Sequence, residues 1–270
     1  MTAPPHPPRP APSPAGDGLP WRAGPYARAL RTGRGPLYLR RSDDGRLLPL
    51  EVERWCAGAD EADRTVLRRC AGPVLDIGCG PGRLVAALAA LGRPVLGIDT
   101  APEAVARTRA LGGAALCRSV FGPLPGEGRW GSALLLDGNI GIGGDPAALL
   151  ERVRALLAPG GLLLAEAAPE EVEERVEVRL DDGGGGGAHP WFPWARLGRT
   201  ALRRRARAGG WTVTAQWSAY GRSFLALRGP ADRADRGTHR AGSPRATGAP
   251  AAAAAVTSAV TDTASSQERG

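Results

Sequence analysis

Val74 to Leu84 reads VLDIGCGPGRL: an apolar run carrying one acid, Asp76, then three glycines within five positions, then the opening of an apolar helix. The stretch predicts a buried strand, a tight turn and a helix, the first strand-to-helix turn of a parallel sheet. Its surroundings extend the pattern. From Pro73 onward, apolar runs alternate with helix-period segments: PVLDI, PGRLVAALAALG, PVLGID, APEAVARTRALGG, AALC and SALLLD. That alternation belongs to βαβ units. Thr100 with Glu103 is spaced for a capping box, and Asp145 before Pro146 supplies an N-cap and a proline at the first helical position, so helices are expected near 101–111 and 146–157. LLLAEA after LAPGG reads as a further buried strand. An arginine-rich helix follows later, and then WTVTAQWSAY and RSFLALR, two runs joined at Gly221 that close the sequence pattern as an antiparallel hairpin.

The flanks differ in kind. Residues 1–20 are dominated by proline and residues 229–270 by small and polar side chains, and neither composition buries enough apolar surface to fold, so both are expected to be disordered tails. Residues 21–228 then form one domain, with 21–72 an N-terminal extension and 170–196 an insertion and lid candidate. Within the extension, GPLYLRRSDDGRLLPL predicts two strands turning at Asp44 and Gly45, and a helix is expected over 60–70.

Charge and cysteine content narrow the classes. The formal charge is +8, and all 35 basic side chains are arginine, which reads as a codon preference before it reads as selection for phosphate. The run Arg203–Arg207, RRRAR, is either a solvated helix face or an anion or RNA surface. Cys56, Cys70, Cys79 and Cys117 form no CxxC pair and have no histidine at ligand spacing, so no metal site is expected, and Cys79 and Cys117 read as small buried residues. No apolar signal core opens the sequence and no run of 18 apolar residues occurs, so a cytoplasmic protein without membrane contact is expected.

The glycine turn calls for a ligand. Gly78, Gly80 and Gly82 allow positive φ and close approach to backbone, while Asp99, ending the second strand, can accept from both hydroxyls of a ribose. Asp76 discriminates between ligands. A carboxylate two residues ahead of the first glycine repels a pyrophosphate and attracts an ammonium, and the spacing departs from GxGxxG because Arg83 stands where the third glycine would be. S-adenosylmethionine has the amine, carboxylate and ribose required.

VLDIGCGPG, VLGIDTAPEAV, ALLLDGNIG and LLAPGGLLLAE, in this order, resemble the successive motifs of class I S-adenosylmethionine-dependent methyltransferases, over about Pro73 to Glu166. The resemblance implies an α/β fold: a Rossmann-like, doubly wound sheet of seven strands, mostly parallel with a C-terminal antiparallel hairpin. It also implies that Asp76 and the loop of Gly78, Cys79, Gly80 and Gly82 hold the methionine part, Asp99 and Thr100 the ribose, and Ser119 with Val120 the adenine edge. Asp137 and Gly138 would lie near the methyl group. The loop GNIGIGG is either flexible or brings backbone against cofactor or substrate.

The expected activity is methyl transfer to a small-molecule acceptor by direct in-line displacement. The alternatives are an RNA methyltransferase and a non-catalytic S-adenosylmethionine-binding regulatory protein. DGNI in place of an NPPY-type sequence speaks against nucleic-acid bases and protein amides as acceptors. His189, next to Trp191, Phe192 and Trp194, is the candidate general base, or else a turn residue before Pro190; the three aromatic rings either roof an acceptor pocket or plug the fold.

Overall fold

The structure is a computed structural model that describes residues 21, 24–184 and 189–231. The expected tails, 1–20 and nearly all of 229–270, lie outside the described residues. The chain starts with α1 (Pro25–Thr32), β1 (Tyr38–Arg41), β2 (Leu47–Pro49), α2 (Val52–Cys56) and α3 (Glu61–Leu67). It continues through β3 (Val74–Ile77), α4 (Arg83–Ala90), β4 (Val95–Asp99), α5 (Pro102–Ala110), β5 (Ala115–Cys117), β6 (Trp130–Leu135), a 3-10 turn at Asn139–Gly141, α6 (Pro146–Leu156) and β7 (Leu157–Ala167). The remaining elements are β8 (Glu173–Asp181), β9 (Phe192–Leu197), α7 (Arg199–Ala208), β10 (Thr212–Ala219) and β11 (Arg222–Arg228).

Seven strands form one sheet in the order β10-β11-β7-β6-β3-β4-β5. The pairs from β7 to β5 are parallel, and β11 joins β7 antiparallel and pairs with β10 as the expected hairpin, turning at Tyr220 and Gly221, both at positive φ. Strand order reverses between β6 and β3, so the crevice outside their carboxyl ends is where a ligand belongs. Helices cover both faces, which is why every residue of β3 is buried.

Two local expectations are corrected. The Thr100–Glu103 capping box does not form: Pro102 at the first helical position keeps Ala101 extended, so the helix starts one residue later, and the Ala101 N–H goes to Asp99 Oδ1 at 2.8 Å. The helix expected over 60–70 ends at Leu67, and it is Asp60 and Asp63 that make a reciprocal capping box at its start. Asp145 caps α6 as expected, accepting from the amides of Ala147 and Ala148.

The larger difference concerns the two segments expected to be separate additions. The N-terminal extension and residues 170–196 join into a second, antiparallel sheet of order β2-β1-β8-β9. Its inner side carries Leu37, Leu39, Val178, Leu180, Phe192 and Trp194, which pack with Tyr26 and Leu30 of α1 and with Ala101 and Ala104 at the start of α5. This layer therefore rests on the carboxyl ends of the parallel strands. Arg40 reaches Asp181 across it at 2.6 Å.

Candidate functional site

Asp76 sits third in β3, in a strand covered on both faces, and is 2% exposed. Its Oδ2 is buried without a hydrogen-bond partner. Burial pushes the carboxyl up to about 7 despite Arg83 nearby, and the fields of Asp137, Asp63 and Asp99 add to the rise. An uncompensated buried carboxylate is costly, so the position is set up for a cation.

The three loop glycines all have positive φ but serve different ends. A Cβ at Gly78 would come within 2.7 Å of the Asn139 amide, and one at Gly82 within 2.5 Å of the Thr108 hydroxyl, so both are fixed by the protein's own packing. At Gly80 the nearest atom is the Tyr26 hydroxyl at 3.6 Å, which leaves its backbone bare toward the crevice. Donors of the loop are already used. Gly78 and Cys79 N–H both donate to the Ile98 carbonyl, and Gly80 N–H donates to Asp99 Oδ2 at 2.9 Å. What the loop offers a ligand is acceptors: the free oxygen of Asp76 and the Gly78 carbonyl, to which Asn139 donates once, whereas the Gly80 carbonyl already accepts from the Thr108 hydroxyl and from Cys79 Sγ. That supply suits an ammonium and opposes a pyrophosphate.

Asp99 spends one lone pair per oxygen on Gly80 and Ala101 and keeps the others, enough for two hydroxyl donors. Burial raises its pKa, and the same amides hold the rise back. Other expected residues stand differently. The Cys79 side chain points away from the loop into a small core with Val85, Val105 and Ala115, its sulfur against Gly97, and burial raises its thiol well above the usual range; it is a packing residue. The Thr100 carbonyl faces Cys117 Sγ. The Ser119 hydroxyl turns back to accept from the Phe121 amide, and Val120 is a core side chain whose carbonyl receives Arg152 Nε, so neither side chain is presented to an adenine.

The end of β6 has the opposite electrostatics. Asp137 adopts φ 58, a left-handed conformation uncommon for a non-glycine residue, and three guanidinium groups surround its carboxylate. Arg54 and Arg222 reach Oδ1 at 2.6 and 3.4 Å, and Arg83 reaches Oδ2 at 2.7 Å. Burial pushes Asp137 up, but Arg83, Arg54 and Arg222 outweigh it and hold the group below its ordinary value. Arg83 also clamps both oxygens of the fully buried Asp63, and Arg222 bridges Asp63 to Glu166. Gly138, next along, has nothing within 4 Å of where a Cβ would stand.

The rest of GNIGIGG is neither flexible nor open. Gly141 lies against the Ala195 carbonyl and Trp194, Gly143 against Phe121, and Gly144 against Pro193, so these glycines let the loop dock on β9. Phe192 and Trp194 are buried with Trp21 and Tyr26, ring centroids 5.1 to 6.2 Å apart, while Trp191 stays 43% exposed under Arg179. The His189 ring lies 2.7 Å from the Cβ position of Gly24, ahead of α1, and among the described residues it makes no hydrogen bond or ion pair with the Asp76 or Asp137 groups. In the RRRAR run, Arg204 and Arg205 both pair with Glu173, which neutralises part of that face.

Sequence reasoning missed Tyr26, Arg54, Asp63, Glu166 and Arg222, and treated Arg83 only as an absent glycine. The one local signal was Asp60 three residues before Asp63. Among the described residues no helix is long and apolar enough to cross a membrane.

Residues 74–161 match a family model described as a methyltransferase domain. A search of curated proteins finds no match. Among solved structures, the chain is similar to an S-adenosylmethionine-dependent methyltransferase from Bacteroides fragilis in complex with S-adenosyl-L-homocysteine, at 21% identity over 76% of this chain and 92% of that one, with a TM-score of 0.60. It is similar to the glycopeptide N-methyltransferase MtfA complexed with S-adenosyl-L-homocysteine (20% identity, 64% and 91% covered, TM-score 0.50). A Methanosarcina mazei S-adenosylmethionine-dependent methyltransferase aligns at 16% identity over 65% of this chain and 100% of that one, with a TM-score of 0.50. At these identities the likeness is one of fold.

Proposed function

We propose that this chain, whose residues 74–161 match a family model described as a methyltransferase domain, is a class I S-adenosylmethionine-dependent methyltransferase that transfers the methyl group directly to a small-molecule acceptor. One observation carries the reading. The mouth of β3 holds a buried, unpartnered carboxylate oxygen beside a loop whose Gly78, Cys79 and Gly80 amides are consumed internally, so it presents an acceptor to an ammonium and a negative charge to a pyrophosphate.

When bound, the cofactor supplies an electrophilic methyl group on a sulfonium. The residues of the chain bind and orient it. Asp76 and the Gly78 carbonyl would receive the amino group, the remaining lone pairs of Asp99 would receive the ribose hydroxyls, and Gly80 would let the ligand lie against bare backbone. Asp137 and Gly138, after β6 on the side of β3 away from β4, would border the methyl-bearing end. Tyr26, with the aromatic layer behind it, covers the glycine loop and keeps water from the reacting atoms. Alignment and exclusion of water supply the acceleration.

Calorimetry on the full chain tests the reading. Binding of S-adenosylmethionine and S-adenosylhomocysteine, with no binding of a nicotinamide dinucleotide, is the expected result; the reverse preference overturns it. Incubation with labelled cofactor and a metabolite extract should label small molecules; label found in RNA would move the assignment to the RNA-directed alternative.

A further inference from the structure

At the mouth of β6 three guanidinium groups balance Asp63, Asp137 and Glu166, leaving spare N–H donors and no carboxylate without a cationic partner. Every oxygen of Asp137 and Glu166 has an arginine partner: Asp137 has Arg54, Arg222 and Arg83, and Glu166 has the two nitrogens of Arg222 together with the Asp137 amide. Three guanidinium groups hold Asp137 ionised and make it a poor proton acceptor. The Tyr26 phenol, raised by burial first and then by Asp99 and other groups, stays protonated. His189 is turned to Gly24. An acceptor reaching this mouth therefore keeps any proton it brings, and one that is nucleophilic there has already lost it in solution.

The three arginines are not alike. Arg83 is 4% and Arg222 13% exposed at the side chain, and each is committed to Asp63 or Glu166 as well as to Asp137. Arg54 is 26% exposed, has Asp137 as its one acidic partner among the described residues, and uses a single terminal nitrogen for it. Its remaining N–H donors are unspent. Beside it the space at Gly138 is open, and Trp55, the next residue of α2, keeps a buried indole N–H without a partner, its ring 6.5 Å from Tyr26. Spare cationic donors, an orphaned neutral donor and aromatic walls meet where no acceptor of protons is free.

We propose that the acceptor is a small molecule with a ring system bearing an anionic oxygen group, a carboxylate or an ionised phenol or enol, and that Arg54 with Trp55 anchors it. This rests on the methyltransferase reading given above. For a carboxylate, one oxygen is held by Arg54 while a lone pair of the other forms the bond to the methyl carbon; the carbon–sulfur bonding pair goes to sulfur, the sulfonium becomes a thioether, and the products are a methyl ester and S-adenosylhomocysteine. No proton moves. Charge balances because the acceptor anion and the sulfonium cation are neutralised together. Arg54 is a specificity-determining residue, and it lies outside residues 74–161, the part of the chain that matches the methyltransferase model.

The test uses the full chain saturated with S-adenosylhomocysteine and three ring probes of one size: benzoate, benzamide and benzylamine, followed by ligand-observed NMR. Benzoate binding with little or no signal from the amide and the amine is expected. Arg54→Gln should weaken benzoate about tenfold or more and Arg54→Lys by less, because a point charge replaces the fork, while S-adenosylhomocysteine affinity stays within about twofold as the control for an intact site. Equal binding of benzamide or benzylamine, failure of all three probes to bind, or benzoate affinity indifferent to Arg54→Gln each overturns the proposal while leaving the methyltransferase reading in place. Failure of S-adenosylhomocysteine itself to bind overturns both.

Discussion

Asp76 and Asp137 end neighbouring strands, are both enclosed, and have opposite surroundings. Asp76 has a bare oxygen and other acids for company, and its carboxyl is pushed up to about 7. Asp137 has three guanidinium groups and is held below its ordinary value. At one mouth the carboxylate itself lacks a partner; at the other the carboxylate is fully paired, and what is left over is donors, on Arg54 and Trp55. Identical side chains one strand apart thus divide the work: the β3 mouth stores unfavourable electrostatics that binding relieves, and the β6 mouth holds the frame rigid while this happens.

The sharpest way to break the contrast is to remove its shared arginine. Arg83→Met strands the buried carboxylates of Asp63 and Asp137, and should destabilise the protein by about 3–5 kcal/mol in urea denaturation. A loss below about 1 kcal/mol would mean that the network is ornamental. Asp76→Asn works in two directions. Cofactor affinity should fall by about 2–4 kcal/mol in calorimetry, since a buried charge pair is lost, whereas the unliganded protein should melt higher at pH 8 because an unpaired buried charge is gone. Lower melting at pH 8 would contradict the incomplete state assigned to this mouth.

Titration separates the two mouths without mutation. The folded pKa of Asp76 lies above its unfolded value, so its contribution is fully present below about pH 4, is lost as the pH rises through about 7, and is flat beyond, a span of roughly 4 kcal/mol at the upper limit. Asp63, whose burial is outweighed by Arg83 and Arg222, is held at about 2 and behaves inversely: its contribution is present above about pH 4 and lost as the pH falls through about 2. Unliganded stability should accordingly peak near pH 4–5, and cofactor affinity should climb up to pH 7 as Asp76 ionises. A flat profile between pH 4 and 7 would refute the assignment. The smallest effect expected is that of Tyr26→Phe, which removes a hydroxyl facing Gly80: about 1 kcal/mol of cofactor affinity at unchanged urea stability.

How much of this the sequence reveals follows from distance along the chain. The strand of Asp76, its glycine turn, Asp99 and the closing hairpin are legible because each is written in a short window of apolar period and turn residues. The β6 cluster is not, because Arg54, Asp63, Arg83, Asp137, Glu166 and Arg222 converge from five different elements and the loop after β6. In a chain whose basic residues are all arginine, no single one stands out. The glycines after Asp137 are hard to read for a related reason: Gly141 and Gly144 admit the approach of β9, a partner about fifty positions away, and Gly143 that of Phe121. The second sheet had one overlooked signal, the alternation of Val176, Val178 and Leu180 with charged residues, which is strand period.

That second sheet sets the order in which the molecule is assembled. Arg40 and Asp181 lie 141 positions apart, so β1 and β2 leave the ribosome long before the strands that complete their layer exist. Contacts of such span close late, after the locally connected parallel strands have formed. Long-range closure thus predicts that the mouth of the parallel strands forms before the layer that covers it. In refolding, recovery of cofactor affinity and recovery of acceptor selectivity should separate in time.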